Sequence, residues 1–108
     1  MDAVAERRLL GLIGLGLRGR RAVLGVDRVR DAAHRGTLRC VVVATDASHH
    51  SREKVEGIVR ARQVPVIRVP SAARLGGVAG REATAAIGVV DASLANGVLA
   101  VVRSTVAE

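Results

Sequence analysis

A chain of 108 residues, 49% hydrophobic, is long enough for one core and too short for a two-domain enzyme, and its apolar content argues against disorder. A net charge of +7, from 17 cationic residues of which only Lys54 is lysine, points to a polyanionic partner, because the arginine fork grips phosphate bidentately. With no Phe, Tyr or Trp, modules that stack unpaired bases on aromatic rings are excluded; with Cys40 the only cysteine, so are an intrachain disulfide and an all-cysteine metal cluster.

Residues 3–17 carry apolar side chains at helical spacing (Val4, Leu9, Leu12, Ile13), weakened by Gly11, Gly14 and Gly16, and predict a first helix. Residues 22–24 read as a short strand. Gly25 then opens VDRVRDAAHRG, where Val26, Val29 and Ala33 mark one helical face and Gly36 stops the helix. The β-branched run CVVVATD predicts a strand covered on both faces. Asp46 and Ser48 punctuate its end, and a helix follows over about residues 51–63. Ser48 or Ser51 is its expected cap, and Arg52 and Glu56 form a favourable i,i+4 pair. VPVIRV is a further buried strand, SAARLGG a short helix stopped by glycines, and AAIGVV another strand. Asp91 or Ser93 begins a last helix to about residue 103. Strands alternating with helices predict an α/β chain with a mixed or parallel sheet between helical layers, with no linker or repeat.

The stretch LIGLGLRGRR (residues 12–21) invites two other readings. Gly14, Gly16 and Gly19 spell G-x-G-x-x-G, a nucleotide-site fingerprint that must follow a strand, open a helix and be answered by an acid about 20 residues on. Here the preceding segment is helix-like, and Asp46 follows Gly19 by 27 residues. The same stretch resembles a secretory signal, an apolar run behind Arg7 and Arg8. Arg18, Arg20 and Arg21 follow at once without a small-residue cleavage site, and the run falls short of the roughly 20 residues that span a bilayer. Cytosolic residence is the expectation.

Little in the sequence supports catalysis. His34 falls on a helix, His49 and His50 are adjacent in a predicted loop, and only Asp46 lies near them as a further metal ligand. Ser48 and Ser51 have no base at a fixed spacing, and Cys40 heads an apolar strand as a small core residue. No enzyme activity, cofactor or metal is expected.

The segments RGRRAVLGVDRV, HRG, VVVATDAS, VPVIRV, SAARLGGVAG and AAIGVVD stand in an order that resembles the kink-turn RNA-binding ribosomal proteins, the L-seven-Ae and L-thirty-e type, in their small bacterial branch. The resemblance covers about nine tenths of the chain. The spacing from Gly25 to Gly36 fits that family's RNA-facing helix, and LGGVAG fits its LG-x-x-x-G turn. It implies a three-layer α-β-α sandwich with a mixed central sheet of about four strands, forming a single RNA-binding domain over residues 1–108. Its function would be non-catalytic binding of structured, kink-turn-like RNA, in the ribosome or its assembly. The implied partners are structured RNA and ribosomal proteins, with no membrane and no DNA.

By the same resemblance, the RNA face joins the start of the second helix to a loop before the last strand. The first element is Arg20, Arg21, Gly25, Asp27, Arg28 and Asp31; the second is Arg81, Glu82, Ala83, Thr84 and Ala85, running to Ala86. A helix N-terminus after a glycine turn offers free amides and a positive dipole end to phosphate. The chain departs from the pattern G-x-N-E-x-x-K, with Asp27, Arg28 and Asp31 at the polar positions; ionised Asp27 can only accept. Two alternatives remain: a protein-interaction scaffold on the same fold without specific RNA binding, and nucleotide binding through Gly14, Gly16 and Gly19.

Overall fold

The computed structural model describes residues 1–106. Asp2 caps α1 (Ala3–Arg18), its Oδ1 accepting from the Ala5 amide at 2.8 Å. After β1 (Ala22–Leu24) come α2 (Val26–Arg35), which ends at Gly36, and β2 (Cys40–Ala44). Ser48 caps α3 (His49–Ala61), Ser71 caps α4 (Ala72–Gly77), and Asp91 Oδ2 accepts from Leu94 in the first turn of α5 (Ala92–Val106). Between them lie β3 (Val66–Val69) and β4 (Ala86–Val89).

The four strands form one sheet in the order β1-β4-β2-β3. β2 and β3 run parallel, Val42 opposite Ile67, while β4 is antiparallel to both β1 and β2, pairing Val23 with Gly88 and Val42 with Ile87. The expected mixed sheet is therefore present. Its alternating side chains feed two separate cores. Cys40, Val42, Ala44, Ile87 and Val89 meet Leu9 and Ile13 of α1, Leu75 of α4 and Val98 of α5. Val41, Val43 and Ala86 meet Val29, Ala32 and Ala33 of α2 and Val55 and Val59 of α3. These are the three layers, and every residue of β2 is buried. At ~25 cal/mol per Å² removed from water, apolar burial on both sheet faces supplies most of the stabilisation.

Several local expectations shift. α1 runs unbroken through its glycines, because Gly14 lies against Val78 and Gly16 fits between Ala22 and Leu94. The G-x-G-x-x-G motif thus sits inside a helix, with Gly19 as its C-cap, and opens no strand-to-helix turn; the nucleotide-site alternative fails on that geometry. α3 begins earlier than predicted, with Ser48 rather than Ser51 as the cap, so His49 and His50 occupy its first turn instead of a loop. Glu56 pairs across to Arg68 at 3.8 Å on β3, not along the helix to Arg52. The last two positions of the predicted 1–108 domain lie outside the described residues. No helix among the described residues is long and apolar enough to cross a membrane.

Candidate nucleic-acid interface

The strand directions gather four connections at one end of the sheet: the turn after β1, the loop after β2, the turn after β3 and the segment before β4. Gly25 makes the first turn. It holds φ 94° and ψ 159°, a conformation essentially reserved for glycine, and its amide donates to the Ala86 carbonyl at 2.9 Å. That bond ties the N-terminus of α2 to the segment of residues 81–86. The two predicted elements are thus neighbours, though they are 50 or more residues apart in sequence.

The segment before β4 is held from three other sides. The Arg81 amide donates to Gly76 at 2.9 Å, the Thr84 amide to Ala72 at 3.0 Å, and the Ala85 carbonyl accepts from Ala44 at 2.9 Å. Thr84 Oγ1 donates to the Ala86 carbonyl at 3.3 Å. Arg81, Glu82 and Ala83 are exposed, Thr84 and Ala85 half-buried. A short, well-anchored loop thus presents two charged side chains to solvent.

α2 has no side chain capping its N-terminus, unlike α1, α3, α4 and α5. Asp27 is exposed in its first turn, where a carboxylate complements the positive end of the dipole. Asp31 pairs with Arg35 one turn on, Nε to Oδ2 at 3.2 Å, so the negative charge at the family's lysine position is offset locally. Arg28, Asp31 and Arg35 line a shallow concavity of about 410 Å³ that also reaches Val23 and Val90.

Arg20 and Arg21 stand elsewhere. They precede β1, so they lie at the opposite end of the sheet, where the Arg21 carbonyl accepts from Val90 at 2.9 Å. At about 3.3 Å per strand residue, Arg21 is about 13 Å from Gly25. Arg20 adopts a left-handed φ of 59°, and both side chains are exposed.

Two further arginines stand out only in the structure. Arg30 on α2 and Arg52 in the first turn of α3 are half-buried, and the Nε of each is buried without a hydrogen-bond partner. Their helices pack side by side with both N-termini toward the loop end of the sheet. The strand-and-helix alternation could have found them, since it already put both helices after strands that end together.

The remaining candidates for chemistry are structurally employed. Asp46 Oδ1 accepts from the Ala72 amide at 2.7 Å, and His49 Nε2 lies 2.9 Å from Glu53 on an exposed helix face. Cys40 is 0% exposed, and burial pushes its thiol up to about 11. Among the described residues, no three His, Cys, Asp or Glu side chains gather as a metal site.

Residues 8–98 match the family described as ribosomal protein L7Ae/L30e/S12e/Gadd45. The chain belongs to that family. The RNA-binding protein YlxQ of Bacillus subtilis is 34% identical over 85 residues, spanning 79% of this chain and 85% of that protein. A Bacillus halodurans protein of unknown function shares the fold with a TM-score of 0.81 and 29% identity, covering 89% of this chain and 97% of its own. The Giardia lamblia 15.5 kD RNA-binding protein superposes with a TM-score of 0.78 at 21% identity, over 99% of this chain and 92% of its own, a likeness of fold. L7Ae-family membership places the chain among non-enzymatic proteins.

Proposed function

We propose that this L7Ae-family chain acts as one RNA-binding domain for folded RNA of the kink-turn kind, within the ribosome or its assembly. The observation that carries this reading is the Gly25–Ala86 hydrogen bond, which joins an uncapped helix N-terminus to an exposed loop carrying Arg81. Free amides and the dipole of α2 favour a phosphate there, Arg28 in the same turn adds a charge-assisted hydrogen bond, and Arg81 on the loop that leads to Ala86 offers a further contact along the backbone. Phosphate contacts of this sort position the protein, and a sharply bent RNA, whose phosphates crowd together, benefits most from concentrated positive charge. The RNA-binding function of YlxQ, at 34% identity, supports the same class of ligand. With Asp27 limited to accepting, base-edge recognition here relies on exocyclic amino groups and on backbone amides.

The experiment compares a kink-turn RNA with a straight duplex of equal length by filter binding. Tighter binding of the bent RNA, weakened tenfold or more by Arg28→Ala with an unchanged melting temperature, is expected. Equal affinity for both RNAs would remove the kink-turn specificity. A salt-independent affinity would remove RNA as the partner and leave the interaction-scaffold reading.

A further inference from the structure

We infer that the groove between α1 and α5 is a docking site for an amphipathic helix of a partner protein that carries carboxylates at both ends of its apolar face. α1 and α5 run antiparallel on one side of the sheet, across from α2 and α3. The groove between them has a volume of about 840 Å³. Gly11, Leu12 and Leu15 form one wall and Gly97 and Ala100 the other, with Arg8 and Arg18 at the ends of the α1 wall.

Three observations select the occupant. The first is apolar exposure: Leu15 is 60% exposed and Val4, three turns earlier on the same stripe, 63%. Val4, Arg8, Gly11, Leu15 and Arg18 recur at the three- and four-residue steps of one helix face, so the exposed Val4 and Leu15 alternate along it with a glycine and two arginines. The second is room. A Cβ at Gly11 would meet nothing within 4 Å, and one at Gly97 only Leu12 Cδ1 at 3.9 Å. A third helix can therefore approach closely between the two glycine-bearing walls, laying anchors at i, i+3/i+4 and i+7 along them.

The third is charge. Arg8 and Arg18 enter no ion pair among the described residues, and no Asp or Glu lines the groove. Ten helical residues separate them, about 15 Å along the axis. A second copy docked through the same stripe would set four arginines together without a carboxylate. An RNA would meet a floor with almost no hydrogen-bonding groups. A helix with Glu or Asp about three turns apart satisfies both arginines and covers Leu15, and complementary charge at the rim fixes its register. The groove faces away from α2, so docking there leaves the loop end of the sheet free.

The full chain, labelled with ¹⁵N, is titrated with a synthetic stapled helix of about four turns bearing Leu anchors and a Glu at each end. Amide shifts at Gly11, Leu15, Gly97 and Ala100 are expected. Binding should weaken at least tenfold with Arg8→Glu/Arg18→Glu and recover when the peptide ends are Lys. Gly11→Leu, whose Cβ meets nothing within 4 Å, puts a side chain into the space the helix would take and should abolish binding while preserving the fold. Equal binding of Glu- and Lys-ended peptides by the wild type, or shifts confined to other residues, overturns the proposal. So does a concentration-dependent dimer broken by Leu15→Glu, which assigns the groove to a second copy, or a structured RNA that shifts the same amides.

Discussion

Gly25 bears the strictest backbone requirement at the candidate interface. Its φ of 94° with ψ of 159° lies in a region where a Cβ costs of order 1–3 kcal/mol, although nothing within 4 Å would touch that Cβ. Gly25→Ala should therefore lower the urea midpoint through backbone strain and the disturbed Ala86 bond rather than through a clash, and should weaken RNA binding by shifting the start of α2. An unchanged midpoint would mean that the turn relaxes without cost. At Cys40 the effect is on pH dependence. The buried thiol is raised from its ordinary 9.0 to about 11, so native and unfolded chains are both protonated below pH 9. Between pH 9 and 11 the unfolded state loses its proton first, and stability from this group falls by about 2–3 kcal/mol at most. Denaturation of the wild type compared with Cys40→Ala across that range should show the gap closing as pH rises. Iodoacetamide should label Cys40 only as fast as the native state opens, since the thiolate is the nucleophile.

Between elements, the short helix α4 governs the loop before β4. A Cβ on Gly76 would fall 2.6 Å from Ala83 Cα and carbonyl carbon, and these are backbone atoms with no rotamer to yield. Gly76→Ala should push residues 81–85 outward, cost about 1–3 kcal/mol by overpacking, and weaken RNA binding without removing any charge. Thermal melting and filter binding on the same variant would check both; normal affinity would show that the loop position is immaterial. This contact also marks where the sequence was legible and where it was not. The run CVVVATD announced a strand buried on both faces, and the order of strands and helices was readable from β-branched runs and glycine stops. SAARLGGVAG announced a short helix and its stop. That Ala83 folds back over Gly76 depends on a loop path no periodicity encodes. Local propensity makes the glycines of α1 weaken the helix, whereas Gly14 and Gly16 let Val78 and Leu94 approach. Ser48 and Ser51 were equally good caps by composition, and choosing Ser48 brought His49 and His50 into the helix.

For the whole molecule, the decisive quantity is where the +7 charge sits relative to the sheet. The family resemblance groups Arg20 and Arg21 with Gly25 as one element of the RNA face. A three-residue strand intervenes, and extended backbone carries those arginines to the far end, while Gly25 and Ala86, distant in sequence, meet. The Debye length is about 8 Å at physiological ionic strength, shorter than the roughly 13 Å from Arg21 to Gly25. Charges at the far end therefore contribute to an RNA held at the loop end only if the RNA reaches across to touch them. Each neutralised phosphate adds about −0.9 to the slope of log affinity against log salt on a B-form duplex, a useful guide for duplex RNA. Arg28→Ala and Arg81→Ala should each flatten that slope by about one such step. Arg20→Ala/Arg21→Ala should flatten it by less than the two steps its lost charges allow. If the far-end pair instead removes the larger share, the RNA lies along β1 and the edge of the sheet, and the Gly25–Ala86 junction is only its border.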